Sequence, residues 1–131
     1  MAASQSRLLV VDDNPCLREM MADLLLSQGY EVLTAQDGLD ALSQLQERLP
    51  DLIISDLRMP RMSGFEFLAI VRQRFPHIPT IAMSGEFLSN EPPIGLTADV
   101  FLPKGSYTLA QLTRTIAKFV SASPANHNQA Q

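Results

Sequence analysis

Short apolar runs alternate along the chain with longer stretches in which apolar residues recur every three or four positions. Leu8-Leu9-Val10-Val11 and Leu52-Ile53-Ile54 are unbroken runs of the kind found in strands buried on both faces, as in a parallel sheet covered by helices. Glu31-Val32-Leu33-Thr34-Ala35, Pro79-Thr80-Ile81-Ala82-Met83 and Asp99-Val100-Phe101-Leu102 read as three further strands. Between them, Leu17, Met20, Met21, Leu24 and Leu25 keep helical spacing as far as Gln28. Asn14 before Pro15 is a start signal for that helix, and Gly29 is its stop. Leu39, Leu42, Leu45 and Leu49 line a second helix, begun after the Asp37-Gly38 turn and closed by Pro50. Phe65, Leu68, Val71, Arg72 and Phe75 define a third, stopped near Pro76. Ser106 is placed to cap a last helix with Leu109, Leu112, Ile116, Phe119 and Val120 on its face.

Five rounds of strand and helix without an internal linker predict an α/β fold: a doubly wound, five-stranded parallel sheet with helices on both faces. The rhythm is weakest between 86 and 97, where Pro92-Pro93 and Gly95 limit a fourth helix to one or two turns. Residues 1–6 are expected to be a disordered N-terminus, 7–120 one domain, and 121–131 a disordered polar tail of Ser, Pro, Ala, Asn, His and Gln.

Composition narrows the class. With 131 residues, 46% hydrophobic and 18% charged, the chain can bury a core without staples. A formal charge of −4 gives no footprint for nucleic acid or anionic membrane. The single Cys16 excludes an internal disulfide framework and a Cys-based zinc site. There is no apolar stretch near the ~20 residues of a membrane span and no signal-peptide pattern, so a cytoplasmic location is expected. Met20, Met21 and Met62 read as packing residues, and His77, with no second ligand nearby in sequence, is not a candidate metal site.

Polar residues change the picture because of where they stand. The first strand ends in Asp12-Asp13, the third in Asp56, the fourth in Ser84 and the fifth beside Lys104. Open α/β sheets place their chemistry at the carboxyl ends of the strands. If strands one and three are neighbours, Asp12, Asp13 and Asp56 surround one opening. Two carboxylates about 4 Å apart repel by about 4 kcal/mol at an effective dielectric near 20. Either one takes up a proton or a hard cation sits among them, and Mg2+ suits carboxylates with shared phosphate oxygens. An aspartate beside Mg2+, an ammonium and a hydroxyl has the parts of a phosphoryl acceptor.

These residues resemble a two-component response-regulator receiver domain of the chemotaxis response-regulator kind, over about 7–120, nearly the whole chain. The likeness rests on Val10-Val11-Asp12-Asp13-Asn14, Asp37-Gly38 with Ala41-Leu42, Asp56-Leu57-Arg58-Met59-Pro60 with Gly64, Met83-Ser84, and Lys104. It implies a flavodoxin-like sheet of order 2-1-3-4-5, with Asp56 the phosphorylated aspartate and Asp12 and Asp13 the acidic pair. The main-chain carbonyl of Arg58 would complete the Mg2+ shell. Ser84 takes the switch-hydroxyl position, Lys104 that of the family lysine, and Phe101 that of a rotating aromatic. The implied partners are a sensor histidine kinase or histidine phosphotransfer protein, which supplies phosphohistidine, and a downstream protein target. Direct nucleic-acid or membrane binding is not implied, and a monomer or weak dimer is. The likeness implies no enzyme beyond assistance to its own phosphotransfer and autodephosphorylation.

The sequence departs from the family in four places. Pro103-Lys104-Gly105 stands where Lys-Pro is usual, Gly85 follows Ser84 where Ala is common, Thr97 replaces a frequent Gly, and Phe101 lacks a hydroxyl. They keep open an alternative, a degenerate receiver acting as a phosphorylation-independent docking module. A small-molecule phosphatase is disfavoured because Arg58 occupies the position of its second Asp, and flavin binding because no phosphate-cradling loop follows the first strand.

Overall fold

The computed structural model describes residues 5–84, 93, 95–103 and 108–120. Five strands, β1 (Arg7–Val11), β2 (Glu31–Ala35), β3 (Leu52–Asp56), β4 (Thr80–Ser84) and β5 (Val100–Pro103), form one sheet. Its order is β2-β1-β3-β4-β5, and all four pairings are parallel. Four helices are present among the described residues: α1 (Pro15–Ser27), α2 (Gly38–Leu45), α3 (Gly64–Arg74) and α4 (Leu109–Ala117).

Alternation of side chains along the strands divides the core in two. Leu9, Val11, Ile53 and Ala82 face one way and are covered by Ala41 and Leu45 of α2 and Phe67, Leu68 and Val71 of α3. Leu8, Val10, Leu52, Ile54, Ile81 and Met83 face the other way, under Leu25 of α1 and Leu112 and Ile116 of α4. Every residue of β3 and β4 is buried, as the unbroken apolar runs require. None of the described helices is long and apolar enough to cross a membrane.

Capping explains where the helices begin. The Asn14 side chain accepts from the amides of Cys16 and Leu17, with Pro15 in the first turn. Gly29, at φ 98°, ends α1 in the left-handed region that glycine enters at little cost. Ser63 and Glu66 form a reciprocal capping box at α3, and Thr108 and Gln111 form another at α4.

Several boundaries differ from those read in the sequence. Thr108, not Ser106, caps the last helix, because a Gln lies three residues beyond Thr108 whereas Leu109 lies three beyond Ser106. The second helix ends at Leu45 and not at Pro50: the amides of Gln46, Glu47 and Arg48 turn back onto Ser43 and Gln44, and Leu49 is exposed. β4 and β5 each begin one residue late. Asp99 sits outside β5 because its carboxylate accepts from the Thr80 amide at 2.8 Å. Leu17, Met20 and Leu109 share helical faces with core residues yet are exposed, Met20 to 66%, so Met20 does not pack as expected, and Phe119, also exposed, lies past the end of α4 and not on its face. The short fourth helix expected between 86 and 97 falls mostly outside the described residues, as does the tail from 121. Gln5 and Ser6, assigned to the disordered N-terminus, hydrogen-bond to the entry of β2: Gln5 donates to the Gly29 carbonyl in the preceding turn, and the Ser6 carbonyl accepts from the amide of Glu31, the first residue of β2.

Candidate functional site

The register places the acidic residues before their side chains are considered. Val11 pairs with Ser55 across β1 and β3, so Asp12, one residue on, stands level with Asp56 at the end of β3. Asp12 donates its amide to the Ala35 carbonyl of β2, and Leu57 donates to Met83 of β4, so both strand ends are held by their outer neighbours. Asp12, Asp13 and Asp56 each offer a carboxylate oxygen, and the three oxygens lie within 4.8 Å of one another. Asp12 and Asp56 are buried, whereas Asp13 is exposed. They open onto a cleft of about 780 Å³ walled by Asn14 of the β1–α1 turn, Leu17 of α1, and Arg58, Met59, Pro60 and Ser63 of the β3–α3 loop.

Backbone donors and one cation orient the cluster. The Asn14 amide donates to Asp12 Oδ1 at 3.0 Å, and the Arg58 amide faces Asp56 Oδ1 at 3.4 Å. Arg18, one turn into α1, donates to the main-chain carbonyl of Asp12 at 2.8 Å and so fixes the turn that carries the pair. Gly64 closes the β3–α3 loop by donating to Leu57 at 3.0 Å. A Cβ at that position would lie 2.2 Å from the Asp56 carbonyl oxygen, so only glycine permits the closure.

Three ionised carboxylates at such separations repel by about 3–4 kcal/mol per pair at an effective dielectric near 20. An all-oxygen set, two members buried and one facing solvent, fits a hard divalent cation that keeps part of its water shell. Nitrogen and sulfur ligands, which would favour zinc or copper, are absent from the described residues of the cluster.

Other expected site residues are distributed as follows. Ser84 is fully buried at the end of β4, paired in register with Pro103. Phe101 pairs with Ala82, is half-buried, and by alternation shares the face of Ser84. Arg58 lines the cleft with its side chain exposed. Lys104 lies outside the described residues. His77 is on the opposite edge of the sheet, beside Gln5, Ser6 and Asp51, away from the carboxylates.

In the sequence Asp37 is a turn former and part of the Asp37-Gly38 family motif, with no ion-pair partner in view. Asp37 is buried to 2% exposure, caps α2 by accepting from the Asp40 amide, and forms an ion pair with Arg61 of the β3–α3 loop. The Asp40 amide, and after it the Arg61 guanidinium, hold the Asp37 carboxyl below the usual range despite burial, which acts the other way. A helix-cap pattern was visible locally; its partner, 24 residues later, was not.

Comparison with known proteins gives a consistent result. The response regulator receiver domain family matches residues 8–116. Sensor histidine kinase RcsC of Salmonella typhimurium is 39% identical over 84 residues, which make up 64% of this chain and 9% of that protein. Response regulator MprA of a Mycobacterium species is 36% identical over 100 residues, 75% of this chain and 44% of that protein. The chain thus spans less than half the length of these curated relatives. Among solved structures, response regulator TrrA of Thermotoga maritima, in complex with Mg2+-BeF, superposes with a TM-score of 0.81 at 30% identity, covering 88% of this chain and all of that one (100%). Chemotaxis response regulator CheY4 of Vibrio cholerae gives 0.79 at 34% identity, covering 89% of this chain and 100% of that one.

Proposed function

We propose a function from one premise: this chain belongs to the response regulator receiver domain family, whose matched relatives include both sensor kinases and response regulators. On that premise the chain is a phosphoacceptor switch of a two-component phosphorelay, not an enzyme acting on an external substrate. Asp56 accepts a phosphoryl group from a phosphohistidine on a sensor histidine kinase or histidine phosphotransfer protein. The observation that carries this reading is the meeting of Asp12, Asp13 and Asp56 within 4.8 Å at the mouth of an open cleft.

In the transfer, a carboxylate oxygen of Asp56 forms a bond to phosphorus as the phosphorus–nitrogen bond of the donor breaks. The nitrogen keeps the electron pair of that bond, and imidazole departs neutral, its other ring nitrogen already protonated. Asp12, Asp13, Asp56 and the main-chain carbonyl of Arg58 would hold Mg2+. When bound, the ion supplies the positive charge that lets an anionic acceptor approach an anionic phosphoryl group. Lys104 is assigned to pair with one phosphoryl oxygen and the Ser84 hydroxyl to donate to another. Phosphorylation adds about −1.5 to −2 charge with strong acceptor oxygens. Drawing Ser84 toward them would make room for Phe101, on the same face of the sheet, and alter the surface near β4 and β5 for a downstream protein target. The cytoplasm is the proposed location, and monomer or weak dimer the proposed state.

Incubation with Mg2+ and acetyl phosphate tests the reading. An acid-stable, base-labile adduct on the wild type and none on Asp56→Asn is the expected result. No adduct on either overturns it in favour of the docking module that Pro103-Lys104-Gly105 keeps open.

A further inference from the structure

The β3–α3 loop that walls the cleft is gripped from behind by α2. Its ends are pinned at the site, where Gly64 donates to Leu57 and packs on the Asp56 carbonyl. Its tip is a tight turn in which the Met62 amide donates to the Pro60 carbonyl at 2.7 Å. Arg61, at φ 68°, is the one non-glycine residue at positive φ among those described. A bulky residue holds that conformation only when its surroundings impose it.

Two contacts with the start of α2 do so. The Arg61 guanidinium binds the buried carboxylate of Asp37, whose other oxygen is engaged in capping the helix. The Met62 side chain lies so close to Gly38 that a Cβ there would meet its sulfur at 2.9 Å. Both residues belong to the same short loop as Arg58, Met59 and Pro60, which face the cleft.

We infer that Asp37 and Arg61 are positioning residues for divalent-cation binding: the pair, seated beside the Met62–Gly38 contact, holds against the cleft the loop that carries Arg58, whose carbonyl is assigned above to the cation. The inference rests on the cation-dependent phosphoacceptor reading above and adds to it two residues that touch neither ion nor phosphoryl group. Mg2+ demands near-ideal octahedral geometry, so a loop carrying one ligand must be held closely. Partners one step behind a ligand typically change metal affinity about 10–100-fold when removed.

Calorimetric titration of the metal-free chain with Mg2+ is the test, on wild type, Asp37→Asn, Arg61→Ala, Arg61→Lys and the Asp37→Asn/Arg61→Ala double variant. Asn keeps an oxygen to cap α2 while discarding the charge that Arg61 needs. Each single loss is expected to weaken Mg2+ binding about tenfold, Lys to restore part of it, and the double variant to match the singles. Amide exchange in the metal-free variants should quicken at 59, 61 and 62 while α2 and β3 stay protected. Wild-type affinity in the variants would overturn the inference, and so would a loss accompanied by equal loss of protection throughout α2. A wild type that fails to bind Mg2+ would overturn the cation reading itself, a distinguishable failure.

Discussion

Asp37 and Gly64 show how much single positions decide here. Gly64 has the backbone of Asp56 and Leu57 where a side chain would be, so its role is close approach. Asp37 has its folded-state pKa lowered, first by the Asp40 amide and then by Arg61. A group with a depressed folded pKa contributes stability that is present above its unfolded pKa, near 3.9, and lost as pH falls through the lower folded value. Asp37→Asn should therefore be less stable than wild type at neutral pH, with the gap closing below about pH 4. Denaturant midpoints across pH 2–7 measure this, and a pH-independent gap would disprove the linkage.

Among the elements, α1 and α4 lie over one face of the sheet, yet each leaves apolar side chains outward. Leu25, Leu112 and Ile116 are buried, while Met20 and Leu109 are more than half exposed. Helical periodicity identifies the apolar side of a helix but not how wide a strip the sheet and the neighbouring helix cover. The start of α4 rests on the reciprocal box of Thr108 and Gln111, with amide-to-side-chain distances of 3.1 and 2.7 Å. Thr108→Ala should cost about 1 kcal/mol, whereas Thr108→Ser should be near neutral. Urea unfolding midpoints for the two variants separate a capping role from a packing one.

For the molecule as a whole, the sheet register brings like charges together at one edge and oppositely charged residues at the other. At the far edge Arg7 and Arg48 both bind Glu31, at 3.1 and 2.7 Å, and Arg7 first, then Arg48, lower its carboxyl pKa. At the near edge the three aspartate carboxylates crowd together, a repulsion that a divalent cation would relieve. Mg2+ at about a hundred times its dissociation constant should raise the stability of the wild type by about 2.7 kcal/mol. Asp13→Asn should stabilise the metal-free protein and lose most of that gain. Thermal midpoints with Mg2+ and with a chelator decide the matter: a wild type indifferent to Mg2+ would remove the cation from the account.

Alternation of strands and helices is legible in the order of residues alone, because apolar runs and 3.6-residue periods are local signals. The same order of residues puts Asp12 and Asp13 directly after one strand and Asp56 at the last position of another, which in parallel strands gathers them at one edge. Asn14 and Pro15 could be read as a helix start for the same reason: the capping groups lie within a few residues of one another. Only the tertiary structure set Asp12 level with Asp56, since register is a relation between strands. It alone brought Arg61 onto Asp37, a pairing across 24 residues that no local pattern announces. It alone left Met20 and Leu109 uncovered. The division has one physical cause: propensity, capping and period act through neighbours in the chain, whereas charge pairing, close approach and burial depend on whatever the fold brings near.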